Sequence, residues 1–118
     1  MEKEYIMQVA GTIREQLITL TPFNTIMSWG ACKFAATIYK DMPALKFMVN
    51  GRLHKGYVII ALNGMDYYEV YLQNATKTTL ISDEVCFDEL GNLIDEHIES
   101  GTDRAEYDRF CEESNTMY

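Results

Sequence analysis

The side chains in this sequence that could carry acid–base chemistry are its two histidines. His54 stands between Arg52 and Lys55 in a stretch of loop-forming residues, where an imidazole could act as a general acid or base. A lone loop histidine with no partner group at a defined spacing is more often part of the plain surface. His97 falls on the apolar stripe of a helical pattern, which indicates a partly buried structural histidine rather than a ligand.

The three cysteines could supply a nucleophile or metal ligands, but their spacing indicates neither. The chain has an odd number of cysteines, which are widely separated and include no CxxC pair: Cys32, Cys86 and Cys111. Each is spaced with apolar residues, where a free cysteine behaves as a small buried hydrophobe. The sequence contains no Gly-rich phosphate loop, HExxH or calcium-loop pattern. We therefore predict reduced thiols in a cytoplasmic protein without cofactor or metal, and an enzyme acting through His54 is the least favoured hypothesis.

Charge is distributed unevenly along the chain. The net charge of −8 argues against sequence-independent binding of nucleic acid. Residues 42–65 contain three basic residues and no acid, whereas residues 83–118 contain twelve carboxylates and two arginines. Rows of carboxylates can imitate nucleic-acid phosphates and occupy a groove on another protein, and a solvated face that maintains solubility is the alternative. The candidate acidic surface is Asp88, Glu89, Asp95, Glu96 and Glu99.

Hydrophobic spacing predicts the elements that position these groups. Apolar residues recur at helical spacing over residues 3–20. Pro22 ends that helix and begins a short second one, with Thr21 as its cap. Alternation with a period of two then predicts strands near residues 31–39 and 45–50.

The C-terminal third of the chain has helical signals. A loop is predicted before residue 83, and residues 79–81 within it are compatible with a short edge strand. Ser82 is then expected to cap an acidic helix over residues 83–99. A last acidic helix is predicted to begin at Asp103, and the tail from residue 114 is predicted to fray.

Two strand-like runs separated by Asn63-Gly64 give the strongest local fold signal. Both turn residues tolerate positive φ, which a two-residue type I′ turn requires. That turn pairs Ile60 with Tyr67 and fixes which side chains share a face. The resulting candidate interaction surface is Val58, Ile60, Leu62, Tyr67 and Tyr71.

The opposite face of this hairpin, which carries Ile59 and Val70, is the predicted core. A strand that is apolar on both sides is usually covered on both faces, so helices or a partner must cover the first face as well. Tyrosines on a sheet can stack nucleic-acid bases, but cross-strand packing explains them more simply where basic residues are not interleaved with them.

Three motifs lie between residues 25 and 72: Lys33-Phe34 in the first strand, L-x-F at residues 45–47 and a hairpin close to V-x-I-x-L-N-x-M-D-x-Y-x-V. With these motifs the chain resembles a group of small proteins of unknown activity that bacterial phages and integrated mobile elements carry. It departs from the group's pattern at Ile38-Tyr39 and in the acidic tail. The resemblance implies a mobile-element setting and carries over no functional residue.

The sequence as a whole predicts a single α+β domain over residues 1–118, with a four-stranded antiparallel meander, N-terminal helices and two acidic C-terminal helices. The predicted function is a non-enzymatic protein-interaction module of a phage or mobile element, which contacts a protein partner or itself. The alternative is an acidic nucleic-acid mimic that inhibits a host DNA- or RNA-binding protein. We expect no direct contact with nucleic acid, and none with a membrane, because a leader and an apolar run of about 18 residues are missing.

Overall fold

Five antiparallel strands form a single sheet in which each strand pairs with the next one along the chain. The computed structural model describes residues 2–101 and residue 109. Its helices are α1 (Lys3–Leu20), α2 (Phe23–Ser28) and α3 (Leu90–Ile98), and its strands are β1 (Cys32–Tyr39), β2 (Met42–Asn50), β3 (Lys55–Leu62), β4 (Tyr68–Gln73) and β5 (Thr78–Val85). The predicted α+β class with an antiparallel sheet is confirmed. None of the helices described is long and apolar enough to cross a membrane.

The helix α1 has the bounds that its hydrophobic spacing predicts. Ala10, Ile13 and Leu17 are buried on the side of the helix that packs over β1 and β2. The helix ends where Thr21 precedes Pro22, because a proline disfavours helical geometry at the residue before it. The Thr21 N–H donates to the Leu17 carbonyl oxygen at 3.1 Å. Because α2 begins without a side-chain capping hydrogen bond, the predicted role of Thr21 as a cap is wrong.

The core lies between the helices and one side of the sheet, which we call the covered face. Ile13 of α1, Phe47 of β2, Ile60 of β3 and Ile94 of α3 are all buried in one cluster. Trp29, directly after α2, belongs to the same cluster and has no exposed surface. The long helix α1 and the shorter helix α3 therefore both exclude water from the covered face.

The predicted pairing of Ile60 with Tyr67 is wrong. Ile60 lies opposite Val70, and residues 63–67 form the connection in place of a two-residue turn. The partner of each β3 residue is therefore displaced by three positions along β4. An odd displacement exchanges the two faces of the partner strand. Val70 consequently shares the covered face with Ile60, while Ile59, which was predicted to lie in the core beside Val70, is on the other side.

The side chain of Asn63 organises this longer loop. Its Oδ1 accepts the N–H groups of Met65 and Tyr67 at 2.9 and 3.1 Å. Its Nδ2 donates to the Asp83 carbonyl oxygen at 3.0 Å, which joins the loop to β5. The positive φ of the loop falls on Asp66, at 63°. Asn63 therefore acts through side-chain hydrogen bonds, as asparagine commonly does in turns, and not as half of a type I′ turn.

The sheet has a fifth strand, β5, where four strands were predicted. The Asn74 Oδ1 accepts the N–H groups of Thr76 and Lys77 at 2.9 and 3.1 Å. These bonds form a tight turn after β4, from which β5 runs back antiparallel to β4. Ser82 lies in β5 and pairs with β4, so its predicted role as a helix cap is wrong. Pairing and packing against a neighbouring strand have overridden the local capping signal.

The helix α3 begins at Leu90, seven residues later than predicted. The Glu89 N–H donates to the Cys86 carbonyl oxygen, and the Glu89 Oε1 accepts the Cys86 N–H, both at 3.0 Å. This reciprocal pair forms the turn that separates β5 from the helix. The other predicted acidic helix, from Asp103, lies outside the described residues.

Helix α3 approaches the end of α1 closely at Gly91. A Cβ atom at this position would lie 2.3 Å from the Thr21 Oγ1 and 3.0 Å from the Thr21 Cβ. Gly11, within α1, has open space, since a Cβ atom there would meet no heavy atom within 4 Å. Packing therefore requires glycine at position 91 and does not require it at position 11.

These two glycines are expected to respond in opposite directions to the same substitution. Gly91→Ala should lower the free energy of unfolding by about 1–3 kcal/mol, because the added methyl group overlaps Thr21. Gly11→Ala should raise it by about 0.5–1 kcal/mol, because alanine favours a helix interior and meets no clash here. Urea unfolding followed by far-UV circular dichroism measures both changes. Thr21→Ala in the Gly91→Ala background should recover part of the loss. A Gly91→Ala variant at least as stable as the wild type would contradict the close packing, and a destabilised Gly11→Ala variant would contradict the open space at position 11.

Candidate interaction surface

The sheet has a second side, the open face, on which none of the described helices packs. The buried residues of the helices belong to the cluster on the covered face. The open face has its own cluster, which is made of buried Ala44, Ile59, Ala61 and Tyr71 with half-buried Tyr39 and Met42. Among the described residues, this apolar centre packs against other side chains of the sheet.

Two tyrosine rings shield the centre of the open face. Ala44 and Ala61 lie opposite each other on β2 and β3, and both are 0% exposed. The Tyr39 and Tyr71 ring centroids are 4.6 Å apart. The Lys40 Nζ lies 5.2 Å from the Tyr71 centroid, within cation–π range. Because alanine side chains are short, the larger Tyr39 and Tyr71 rings have room to pack beside them on this face.

The Tyr71 hydroxyl is held in one protonation state. Its O–H donates to the Glu69 Oε1 at 2.5 Å. Burial first, and then this hydrogen bond and the charge of Glu69, raise the pKa of Tyr71 above its ordinary value. The raised pKa extends to higher pH the range in which the phenol is protonated and can donate to Glu69.

A second tyrosine–lysine pair lies on the same face. The Lys46 Nζ is 4.3 Å from the centroid of the Tyr57 ring, and Lys46 lies opposite Ile59. At the β5 edge, Leu80 lies opposite Tyr71 and is 48% exposed. The open face thus combines apolar and aromatic side chains with ammonium groups, which suits a protein surface that carries apolar groups and carboxylates.

The structure divides the predicted interaction residues between the two faces. Val58 and Ile60 are 0% exposed and lie beneath the helices on the covered face, and Leu62 packs half-buried beside them. Tyr67 is exposed in the loop before β4. Tyr71 lies in the cluster on the open face. The helices, and not a partner, therefore cover the first three.

Tyr39, Met42 and Lys46 are among the open-face residues that the predicted set lacks. Met42 and Lys46 have the opposite parity along β2 from Leu45, which is buried on the covered face. Tyr39 lies opposite Met42 across the β1–β2 turn. The period-two pattern of β2 was the signal that could have placed them, since alternate residues of a strand face opposite sides.

Besides Glu89, whose Oε1 accepts the Cys86 N–H, two of the five candidate acidic residues are hydrogen-bonded within the fold. The Trp29 Nε1 donates to the Asp95 Oδ1 at 2.9 Å. Glu99 is buried, and its Oε2 accepts the Arg52 backbone N–H at 2.7 Å while the Arg52 Nε donates to the Glu99 carbonyl oxygen at 3.0 Å. These contacts join α3 to the segment after α2 and to the loop after β2. Asp95 and Glu99 therefore stabilise the fold.

The other three candidate carboxylates line an open groove of about 330 Å³ between β5 and α3. Asp88, Glu89 and Glu96 are exposed there together with Glu84. One ligand atom from each of Cys86, Asp88 and Glu89 lies within 4.8 Å of the others. A hydrogen bond to Glu89 raises the pKa of the Cys86 thiol, which disfavours the thiolate in the protein without a bound ion. The groove is therefore an acidic surface.

The cysteines differ from the prediction that they are buried. Cys32 and Cys86 are exposed, so the prediction is wrong for both, and Cys111 lies outside the described residues. The register of β1 shifts between Cys32 and Ala35, and Lys33 within this bulge has a φ of 57°. The bulge breaks the alternation that would have placed Cys32 in the core.

The histidines have only local contacts among the residues described. His97 is exposed, so its predicted partial burial is wrong, and its Nδ1 lies 2.9 Å from the Leu93 carbonyl oxygen one turn earlier. The Nε2 of His54 lies 3.2 Å from the Tyr57 carbonyl oxygen. Neither contact brings an imidazole to a nucleophile or a carboxylate, which acid–base catalysis commonly uses.

Comparison with protein-family models, with curated proteins and with solved structures gave no match. The interpretation of the open face and of the acidic groove therefore depends on their own residues.

Asp95 and Glu96 are adjacent residues with different roles, and substituting each one should distinguish a structural carboxylate from an exposed one. Asp95→Ala leaves the buried Trp29 indole N–H without its acceptor and should lower the free energy of unfolding by about 1–3 kcal/mol. Glu96→Ala removes an exposed side chain and should change it by less than about 0.5 kcal/mol. Urea unfolding measures both. Trp29 is the single tryptophan, so its emission reports the same contact. Equal effects of the two substitutions would contradict the structural role of Asp95.

Proposed function

We propose that this protein is a non-enzymatic protein-interaction module of a phage or mobile element that acts in the cytoplasm. It binds a protein partner, or a second copy of itself, through the open face. The observation that carries the proposal is the half-buried rim of that face, where Tyr39, Met42 and Tyr57 surround the buried centre and none of the described helices packs. The phage or mobile-element setting is supported by the sequence resemblance alone.

The composition of the open face supports a protein as the partner. Tyrosine and methionine are enriched in the cores of protein interfaces, and here Tyr39, Tyr57 and Met42 surround the buried centre. Sheets that are apolar on both sides are commonly covered on both. Lys40 and Lys46 lie against the tyrosine rings, so a partner surface with carboxylates is the best electrostatic complement.

Leu80→Glu tests the open face, and Ile38→Glu is a matched control. Both side chains are 48% exposed on edge strands, and the two substitutions change the net charge equally. Leu80 lies on the open face beside Tyr71, whereas Ile38 lies on the covered side beside α1. A charge at the interface should weaken association by at least about tenfold.

Two measurements apply to this pair of variants: affinity capture of the partner from a lysate of the native host, and light scattering for self-association. The proposal predicts that the wild type and Ile38→Glu retain the same partner, or the same dimer, at the open face and that Leu80→Glu loses it. Unchanged association of Leu80→Glu, or a wild type that stays monomeric and captures no protein, would contradict the proposal.

The second candidate function is an acidic nucleic-acid mimic that inhibits a host DNA- or RNA-binding protein through the carboxylates of residues 83–113. It is favoured by the exposed groove in which Asp88, Glu89 and Glu96 lie together with Glu84. The internal contacts of Asp95 and Glu99 reduce the carboxylates available to such a partner.

Charge reversal tests the mimic directly. Asp88→Lys combined with Glu96→Lys should weaken binding to a basic partner by at least about tenfold, with a strong dependence on salt, because surface charges act over about a Debye length. Glu4→Lys combined with Glu15→Lys is the matched control, since both residues are exposed on α1 and the change in net charge is the same. Binding measured over a range of salt concentrations distinguishes the two pairs, and equal losses would contradict a mimic located at the groove.

A further inference from the structure

The strand β1 forms one edge of the sheet and carries no charged residue from Phe34 to Tyr39. Edge strands in soluble proteins are usually guarded by charges, prolines or bulges, because their unpaired backbone groups can pair with another chain. The opposite edge strand, β5, follows that rule, with Asp83 and Glu84 and two register shifts against β4. On β1, the one register shift lies before Ala35. The segment from Ala35 to Tyr39 is therefore an unguarded edge.

A groove runs beside this edge, between β1 and α1. Its first part has a volume of about 570 Å³ and its second part of about 430 Å³, and both are lined by Met7 and Ala36. Ile6 and Ile38 line the first part, and Ile38 is half-exposed there. In the second part Gly11 leaves the wall of the groove open, since a Cβ atom at this position would meet no atom within 4 Å. The two parts adjoin at Met7 and Ala36, and apolar side chains make up most of the lining of both.

The charged side chains that line the groove are both cations. Lys3 lies at the first part and Arg14 at the second. The Arg14 guanidinium carbon lies 5.2 Å from the Phe34 ring centroid, and a ring contact of this kind leaves the guanidinium N–H groups able to donate. The two cations are separated by eleven residues of helix, which is about 17 Å. That is also the length of about five residues of an extended strand.

We propose that the β1 edge and this groove bind an extended acidic segment of a partner protein as a sixth strand of the sheet. The main chain of the segment pairs with Ala35 to Ile38, where small side chains leave the backbone accessible. Alternate apolar side chains of the segment enter the groove against Met7 and Ile38. Carboxylates near its two ends pair with Lys3 and Arg14. This surface is separate from the open face. The binding of an acidic segment there can therefore be tested independently of the function proposed above.

The probe that tests this site is a fluorescently labelled peptide, Glu-Thr-Val-Thr-Val-Thr-Glu, whose valines and glutamates face the same side of a strand. Titration of the full chain, followed by fluorescence anisotropy, should give saturable binding with a Kd between about 1 µM and about 1 mM. Amide signals of residues 34–38 should shift in NMR spectra during the same titration. A peptide with lysines in place of the glutamates should bind at least about tenfold more weakly, and a peptide with a central proline should not bind.

Variants then locate the site. Ile38→Glu should weaken binding of the acidic peptide by at least about tenfold, whereas Leu80→Glu, with equal exposure on the opposite edge, should change it by less than about twofold. Arg14→Gln alters an exposed side chain and should weaken the binding severalfold without affecting folding, which provides a second test if Ile38→Glu destabilises the protein.

Three results would overturn the proposal. The first is the lack of saturable binding up to about 1 mM peptide, the weak limit of specific recognition. The second is equal binding of the acidic and basic peptides, or equal effects of Ile38→Glu and Leu80→Glu. The third is a dimer of the full chain in light scattering that Ile38→Glu abolishes and Leu80→Glu does not, because a second copy would then occupy the edge in place of an acidic partner.

Discussion

The register of β3 against β4 is the constraint on which the rest of this structure depends. Asn63 sets it by holding a five-residue loop through its side chain, so that Ile60 lies opposite Val70. This pairing places Ile60 and Val70 together under the helices and sends Ile59 and Tyr71 to the other side. A register that differed by one residue would turn one strand over and place polar groups such as Glu69 in the core.

The covered face in turn determines what the acidic part of the chain can do. Helix α3 is fastened over the sheet by the bond from Trp29 to Asp95 and by the contacts between Arg52 and Glu99. These two carboxylates act inside the fold, and the exposed acids remain along the groove beside β5. The lysines of the open face come from β2 and from the β1–β2 turn, toward the opposite edge of the sheet. The lysines and tyrosines of the open face therefore lie apart from the acidic groove, and Glu69 beside Tyr71 adds one carboxylate to that face.

Patterns that extend over many residues were predictable, whereas those that depend on one pairing were not. The 18 residues of α1 repeat their helical spacing often enough to define its bounds. The Asn63-Gly64 pair and the Ser82-Asp83-Glu84 run are strong local signals for a tight turn and a helix start, yet tertiary pairing made one a longer loop and the other part of β5. The alternation of β2 places Met42 and Lys46 on one side of that strand, but the β3–β4 register is needed to bring Tyr71 to the same side.

Backbone nuclear Overhauser effects across the β3–β4 pair test the central constraint most directly. The structure predicts cross-strand contacts between the backbone protons of Ile60 and Val70 and of Leu62 and Tyr68. Contacts between Ile60 and Tyr67 would instead indicate the two-residue turn. They would exchange the faces of β4 and contradict the assignment of Tyr71 to the open face.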